Sequence, residues 1–206
     1  LLPAGDQMLM ALDQVLMDCP ASHSLTFKWK VATEASEREQ RWLEQLLVRL
    51  PRNARLRLDA NGGWDRSTAG VWLERLRQES RFDWLEQPLA VDDLEGLEQL
   101  AQRGSVALDE SLERRPELRD SWMGWQVRRP AVDGDPRPLL RQIQAGVPYR
   151  MVSTAFESGI ARRWVHHLAA LQWVGPTPAA PGLAPGWCPE GALFSHNPEL
   201  VWAAAG

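Results

Sequence analysis

Residues 25–32 read LTFKWKVA, and the way this stretch faces decides the architecture around it. Side chains two apart in a β-strand share a face, so Phe27, Trp29 and Val31 lie on one side and Lys28 and Lys30 together on the other. Two neighbouring ammonium groups repel. On a solvent-facing edge the pair is an ordinary solubilising feature. In an enclosed site each lysine lowers the other's proton affinity, and one becomes a usable base near neutral pH. The strand alone favours the plainer reading, which the rest of the chain has to overturn.

Working outward, short apolar segments alternate with longer amphipathic ones. Strands are expected at Leu25 to Val31, Arg55 to Asp59, Phe82 to Glu86, Val106 to Asp109, Gly124 to Arg129 and Arg150 to Ser153. Helices are expected at Glu37 to Leu50, Ser67 to Gln78, Asp92 to Gln102, Pro136 to Gln144 and Gly159 to Leu171. Strands separated by helices of this length run parallel, in an open doubly wound sheet or a closed barrel. The first residues, LLPAGDQ, lack the glycine spacing of a phosphate-binding turn, so the barrel is favoured. The Pro- and Gly-rich segment 175–191 is expected to be loop with one short closing strand around Gly182 and Leu183, and the tail NPELVWAAAG a last short helix.

With 44% hydrophobic and 24% charged residues, the 206-residue chain can bury one sizeable core, and one domain over 1–206 is expected. A net charge of -4 offers no general attraction to nucleic acid or anionic membrane, which leaves small-molecule chemistry. No apolar run reaches the length of a membrane span. Cys19 and Cys188 are far apart and lack metal-ligand spacing, which fits a reducing cytoplasm. The oligomeric state is not encoded in any feature of the sequence. The start, LLPAG, has no initiator methionine and reads as a cut end.

Chemistry concentrates at the ends of the expected strands. LRLD ends in Asp59, FDWLE in Glu86 and VALD in Asp109. A single acid there is commonly a turn former or helix cap, but in a (β/α)-barrel such ends converge on the mouth where catalytic groups sit. Three gathered carboxylates repel unless a cation lies between them, and an all-oxygen set suits Mg²⁺. Lys30 ends the preceding strand, so the expected base and metal share one mouth. Lys28 and Lys30 then face inward, toward Mg²⁺ and a carboxylate substrate.

In this order, TFKWKV, LRLDANGGW, DWLEQPL, ALDESL and VSTAFESGI resemble the enolase superfamily and, within it, the o-succinylbenzoate synthase family of menaquinone and phylloquinone biosynthesis. The resemblance implies a TIM-like (β/α)7β barrel, with Asp59, Glu86 and Asp109 as Mg²⁺ ligands and Lys30 as the acid/base. It implies dehydration of 2-succinyl-6-hydroxy-2,4-cyclohexadiene-1-carboxylate to 2-succinylbenzoate. Ser153 and Thr154 would bind a substrate carboxylate and Glu157 would orient the mouth, roles that compete evenly with turn and capping chemistry. Asn61, Glu110 and Ser111 fall within the matching motifs and are read as loop supports.

Two departures qualify the resemblance. Where the family carries a second lysine before a proline, this chain has Arg129, which stays protonated and cannot be a base. Two-base racemisation is then disfavoured, and a one-base elimination stays open with Arg129 supplying positive charge. The family's N-terminal capping domain is also absent from the chain, so a wetter site with weak turnover is expected. The alternatives left open are muconate cycloisomerase chemistry, racemisation of an N-acylamino acid or dipeptide, and a non-catalytic barrel. His23, His166, His167 and His196 are not read as ligands, and Trp42 and Trp72 are read as packing between helices and sheet.

Overall fold

The computed structural model describes residues 1–19, 24–184 and 189–206; the expectations placed on His23 and Cys188 lie outside them. The described chain divides into two compact units, Leu1–Arg114 and Arg115–Gly206.

The first unit contains α1 (Gln7–Asp18), β1 (Thr26–Lys30), α2 (Ser36–Arg49), β2 (Arg55–Asp59), α3 (Arg66–Leu76), β3 (Phe82–Glu86), α4 (Leu94–Ala101), β4 (Val106–Leu108) and α5 (Glu110–Arg114). The four strands are parallel and neighbour one another in chain order, the outcome of right-handed βα crossovers. Leu2 adds a parallel bridge to Trp29. Helix starts follow local chemistry: the Asp65 carboxylate accepts from the Thr68 N–H, and Asp93 from the Gly96 N–H. Phe27, Trp29 and Val31 are buried, and Trp29 meets Trp72 of α3 at 6.4 Å between ring centroids. Trp72 stacks on Trp64 at 4.9 Å and donates its indole N–H to Ser36. The apolar face of β1 therefore packs on helices and its lysine face is the opposite one. Trp42 and Trp72 are packing residues, as expected.

Glu39 was not singled out by the sequence reading. It shares the buried face of α2 with Trp42, Leu43 and Leu46, and a carboxylate there needs partners. It accepts from the backbone N–H groups of Ala32, Thr33 and Glu34 and from the Thr33 hydroxyl. These bonds hold the turn after β1, including Ala32 at φ 62°. Replacing Glu39 with alanine is expected to cost about 2 kcal/mol, since buried acceptors are expensive to remove while Thr33 and Glu34 remain accessible to water. Urea unfolding with an unchanged m-value is the measurement.

The second unit contains α6 (Leu118–Ser121), β5 (Trp125–Arg128), α7 (Pro130–Asp133), α8 (Arg137–Gln144), β6 (Arg150–Val152), α9 (Gly159–Trp173), a 3-10 turn (Ala192–Phe194) and α10 (Pro198–Ala205). Strands β5 and β6 are parallel. The expected closing strand is reduced to a parallel bridge from Ser153 to Gly182. Leu139, Ile143, Val152, Val165 and Leu168 form the core of this unit. Gly159 is obligatory in its place, because a Cβ there would meet the Ser195 carbonyl oxygen at 1.8 Å. Among the described residues, no helix is long and apolar enough to cross a membrane.

Candidate active site

Register builds the site in rows. Lys30 pairs with Asp59 and Asp59 with Glu86, so these three stand side by side on the face opposite Trp29. One row toward the strand starts lie Lys28, Arg57 and Trp84. A slip in register between Leu56 and Arg57 leaves Asp83 as an extra residue, and its carboxylate lies 3.1 Å from the Arg57 guanidinium.

The Lys28 ammonium lies 3.0 Å from Asp59 Oδ2 and 2.8 Å from Glu86 Oε1. Asp59 and Glu86 are fully buried. Lys30 Nζ is 3.5 Å from the same Asp59 oxygen and donates to Asn61 Oδ1 at 2.6 Å. Burial pulls the Lys28 pKa down, but Glu86 and Asp59 outweigh it and hold the group well above the ordinary lysine range. Of the two lysines, Lys28 is therefore the one held as an ammonium, by two carboxylates in contact with it.

Beneath this cluster, the Arg57 guanidinium stacks on the Trp84 ring at 4.0 Å, and the Trp84 indole N–H donates to Glu86 Oε2 at 3.4 Å. Both Glu86 oxygens are thus engaged, one by Lys28 and one by Trp84. Burial lowers the Arg57 pKa, with Asp83 acting against it.

Asp109 follows β4, and because Glu86 pairs with Ala107, it stands two residues beyond the row of Lys30, Asp59 and Glu86. Its backbone N–H donates to Gln87 Oε1. Gln87, at φ 39° and fully buried, also accepts from the Ser111 N–H and donates to the Ser111 hydroxyl and the Leu89 carbonyl. It fixes the loops after β3 and β4 together, and Ser111 is a loop support as expected. Among the described residues, no three His, Cys, Asp or Glu side chains come together as a ready-made metal-binding group. The acids that converge, Asp59 and Glu86, do so on an ammonium.

In the second unit, Arg129 precedes Pro130 at the start of α7, and its carbonyl accepts from Val132 and Asp133. The hydroxyls of Ser153 and Thr154 both donate to the Gly182 carbonyl, so in this structure they tie β6 to the following bridge. A Cβ on Gly182 would lie 2.7 Å from the Ser153 hydroxyl. Glu157 accepts from the Ala155 N–H and faces Arg162, a role in its own loop. His166, His167 and His196 are exposed.

Asn61 is the site residue that sequence reasoning set aside. Its signal was present, since Asn followed by two glycines after a strand marks a left-handed turn that aims the Asn side chain, and the structure gives it φ 46°.

A family model described as enolase C-terminal domain-like matches residues 21–124. The chain belongs to that family. It is 42% identical over 153 residues to the o-succinylbenzoate synthase of Thermosynechococcus vestitus, covering 69% of this chain and 48% of that protein. It is 34% identical over 88 residues to a chloromuconate cycloisomerase of Pseudomonas putida, covering 42% and 24%. Among solved structures, o-succinylbenzoate synthase from Thermosynechococcus elongatus BP-1, complexed with Mg in the active site, superposes with a TM-score of 0.78 at 34% identity, covering 98% of this chain and 65% of that one. The fold class expected from the sequence, the parallel α/β barrel class of the enolase superfamily, is thereby established. The chain spans about half the length of the first of these relatives and about a quarter of the second.

Proposed function

We propose that this enolase C-terminal domain carries an o-succinylbenzoate synthase type of dehydration, converting 2-succinyl-6-hydroxy-2,4-cyclohexadiene-1-carboxylate to 2-succinylbenzoate in quinone biosynthesis in the cytoplasm. The observation that carries this reading is the lysine pair facing buried Asp59 and Glu86. Lys28 and Lys30 are the only lysines in the chain, and every other basic side chain apart from histidine is an arginine. At position 30 the proposal needs a side chain that can give up its proton, which lysine can do and arginine cannot.

Asp59, Glu86 and Asp109 suit a hard divalent cation, being three buried carboxylates at successive strand ends, two of which already draw a cation between them. When bound there, Mg²⁺ supplies positive charge against the oxyanion that develops on the substrate carboxylate. Lys30, as the base, takes the proton from the carbon next to that carboxylate, and the C–H electron pair becomes the new ring double bond as the C–O bond to the hydroxyl breaks. Lys30, now an ammonium, returns its proton to the departing hydroxyl, which leaves as water. Lys28 adds fixed positive charge beside the same oxygens. Arg129, never a base, confines the chemistry to one base and argues against racemisation. Ser153 and Thr154 retain acceptor lone pairs for a substrate, and their part in binding it belongs to the same proposal.

The test has two arms. Calorimetry is expected to show Mg²⁺ binding that weakens at least tenfold in Glu86→Gln, about 1.4 kcal/mol; unchanged affinity would remove Glu86 from the ligand set. With Mg²⁺, the chain is expected to discharge the cyclohexadiene absorbance. Tight Mg²⁺ binding without any discharge would favour the non-catalytic reading.

A further inference from the structure

We propose that Glu110 is a positioning residue for Lys30, acting through the side-chain amide of Asn61. The inference rests on the reading of Lys30 as acid/base and deepens it. Asn61 Nδ2 donates to Glu110 Oε1 at 2.8 Å, and Asn61 Oδ1 accepts from Lys30 Nζ at 2.6 Å. An amide can face either way, but a carboxylate only accepts. Glu110 therefore turns the NH₂ end toward itself and leaves the oxygen for the lysine.

The backbone makes this orientation matter. The Asn61 N–H donates to Asp59 Oδ1, the Gly62 N–H to the Gln87 carbonyl and the Gly63 N–H to the Ala60 carbonyl. Gly62, at φ 74°, sits so close to Ala90 and Leu89 that a Cβ would lie 3.3 Å from each. These contacts clamp the backbone of the turn from which the amide projects. Glu110 is anchored in parallel, because its neighbour Ser111 is held by Gln87. Its second oxygen, Oε2, is buried without a hydrogen-bond partner among the described residues. Fixing the polarity of an adjacent amide calls for a group that accepts and cannot donate, which a carboxylate is. Without the amide oxygen, Lys30 Nζ would be left with Asp59 Oδ2, which already holds Lys28 at 3.0 Å. The arm thus gives the Lys30 amine a second acceptor at 2.6 Å, shorter than its 3.5 Å contact with that shared carboxylate.

The experiment uses lysine labelled with ¹³C at Cε, which reports on Lys28 and Lys30 alone. A held side chain shows two distinct Hε shifts, and a freely turning one shows a single averaged shift. Wild type is expected to show separated Hε pairs for both lysines. Asn61→Leu is expected to merge the Lys30 pair and leave the Lys28 pair split. Glu110→Gln, which can donate as well as accept and so frees the amide to flip, is expected to reduce the Lys30 splitting. Asn61→Asp, which keeps an oxygen toward Lys30, is expected to retain it. A Lys30 pair unchanged in Glu110→Gln overturns the proposal, and so does merging of both lysine pairs in that variant, which would mean general loss of the site. In turnover, Glu110→Gln should lower kcat and leave KM unchanged. A wild-type chain without turnover would sink the dehydratase reading alone, because the spectra decide this proposal by themselves.

Discussion

Lys30→Ala is expected to lower kcat by about 10²–10⁴, the usual worth of a positioned acid/base, with little change in KM. The size follows from the number of steps that pass through one amine, which takes the carbon-bound proton and delivers it to the leaving hydroxyl. Stability should hardly move. Lys30 is about one-third exposed, its side chain at 36%, and an ion pair with one partner so exposed is screened by water and contributes about 1 kcal/mol. The decisive companion is Lys30→Arg. Arginine preserves the positive charge and a donor for Asn61 but cannot lose a proton at working pH. If Lys30 acts as a base, Lys30→Arg is as inactive as Lys30→Ala; if it acts only as a charge, Lys30→Arg works. Near wild-type turnover in the arginine variant would therefore end the assignment, provided circular dichroism and the melting midpoint show both variants folded.

The strands of this chain are legible because their signal is local. Phe27, Trp29 and Val31 alternate with Lys28 and Lys30, and β1, β2 and β3 fall within a residue of the positions that alternation and turn residues predict. Helix α1 lies outside the expected elements, although MLMALDQVLM carries Met8, Leu9 and Leu12, all buried, at helical spacing. Short α6 and α7 lack enough residues for any period to show. Among the expected site residues, Lys28, Lys30, Asp59 and Glu86 could be brought together because β1, β2 and β3 place equivalent residues side by side. Asp109 departs from that row for a reason no single-strand pattern contains, namely the pairing of Glu86 with Ala107. Glu39, Gln87 and Glu110 are harder still. Each acts through hydrogen bonds to groups that only the fold brings near, and a lone Glu on an apolar helix face was the one warning available for Glu39.

Lys28→Met should destabilise the Mg²⁺-free chain by about 3 kcal/mol, the lower end of the range for breaking a buried ion pair. The lower end applies because the Lys28 side chain keeps 24% exposure, whereas Asp59 and Glu86 keep 1% and 0%. Removing the ammonium leaves two buried carboxylates facing each other with Lys30 as the nearest positive charge, 3.5 Å from one of them. For a chain of this size the cost corresponds to a fall of roughly 6–12 °C in melting midpoint. Methionine fills most of the volume of the lysine stem, so the loss reports charge rather than packing. The same variant makes the opposite prediction for the loaded protein. Because Mg²⁺ supplies the charge that the lysine no longer does, millimolar Mg²⁺ should raise the melting midpoint of Lys28→Met by more than that of wild type. Ca²⁺ should do so less well if the site is compact, and a monovalent salt of equal ionic strength should not do so at all. An equal Mg²⁺ shift in both proteins would mean that the ion does not sit against Asp59 and Glu86, and the ligand set would have to be sought elsewhere.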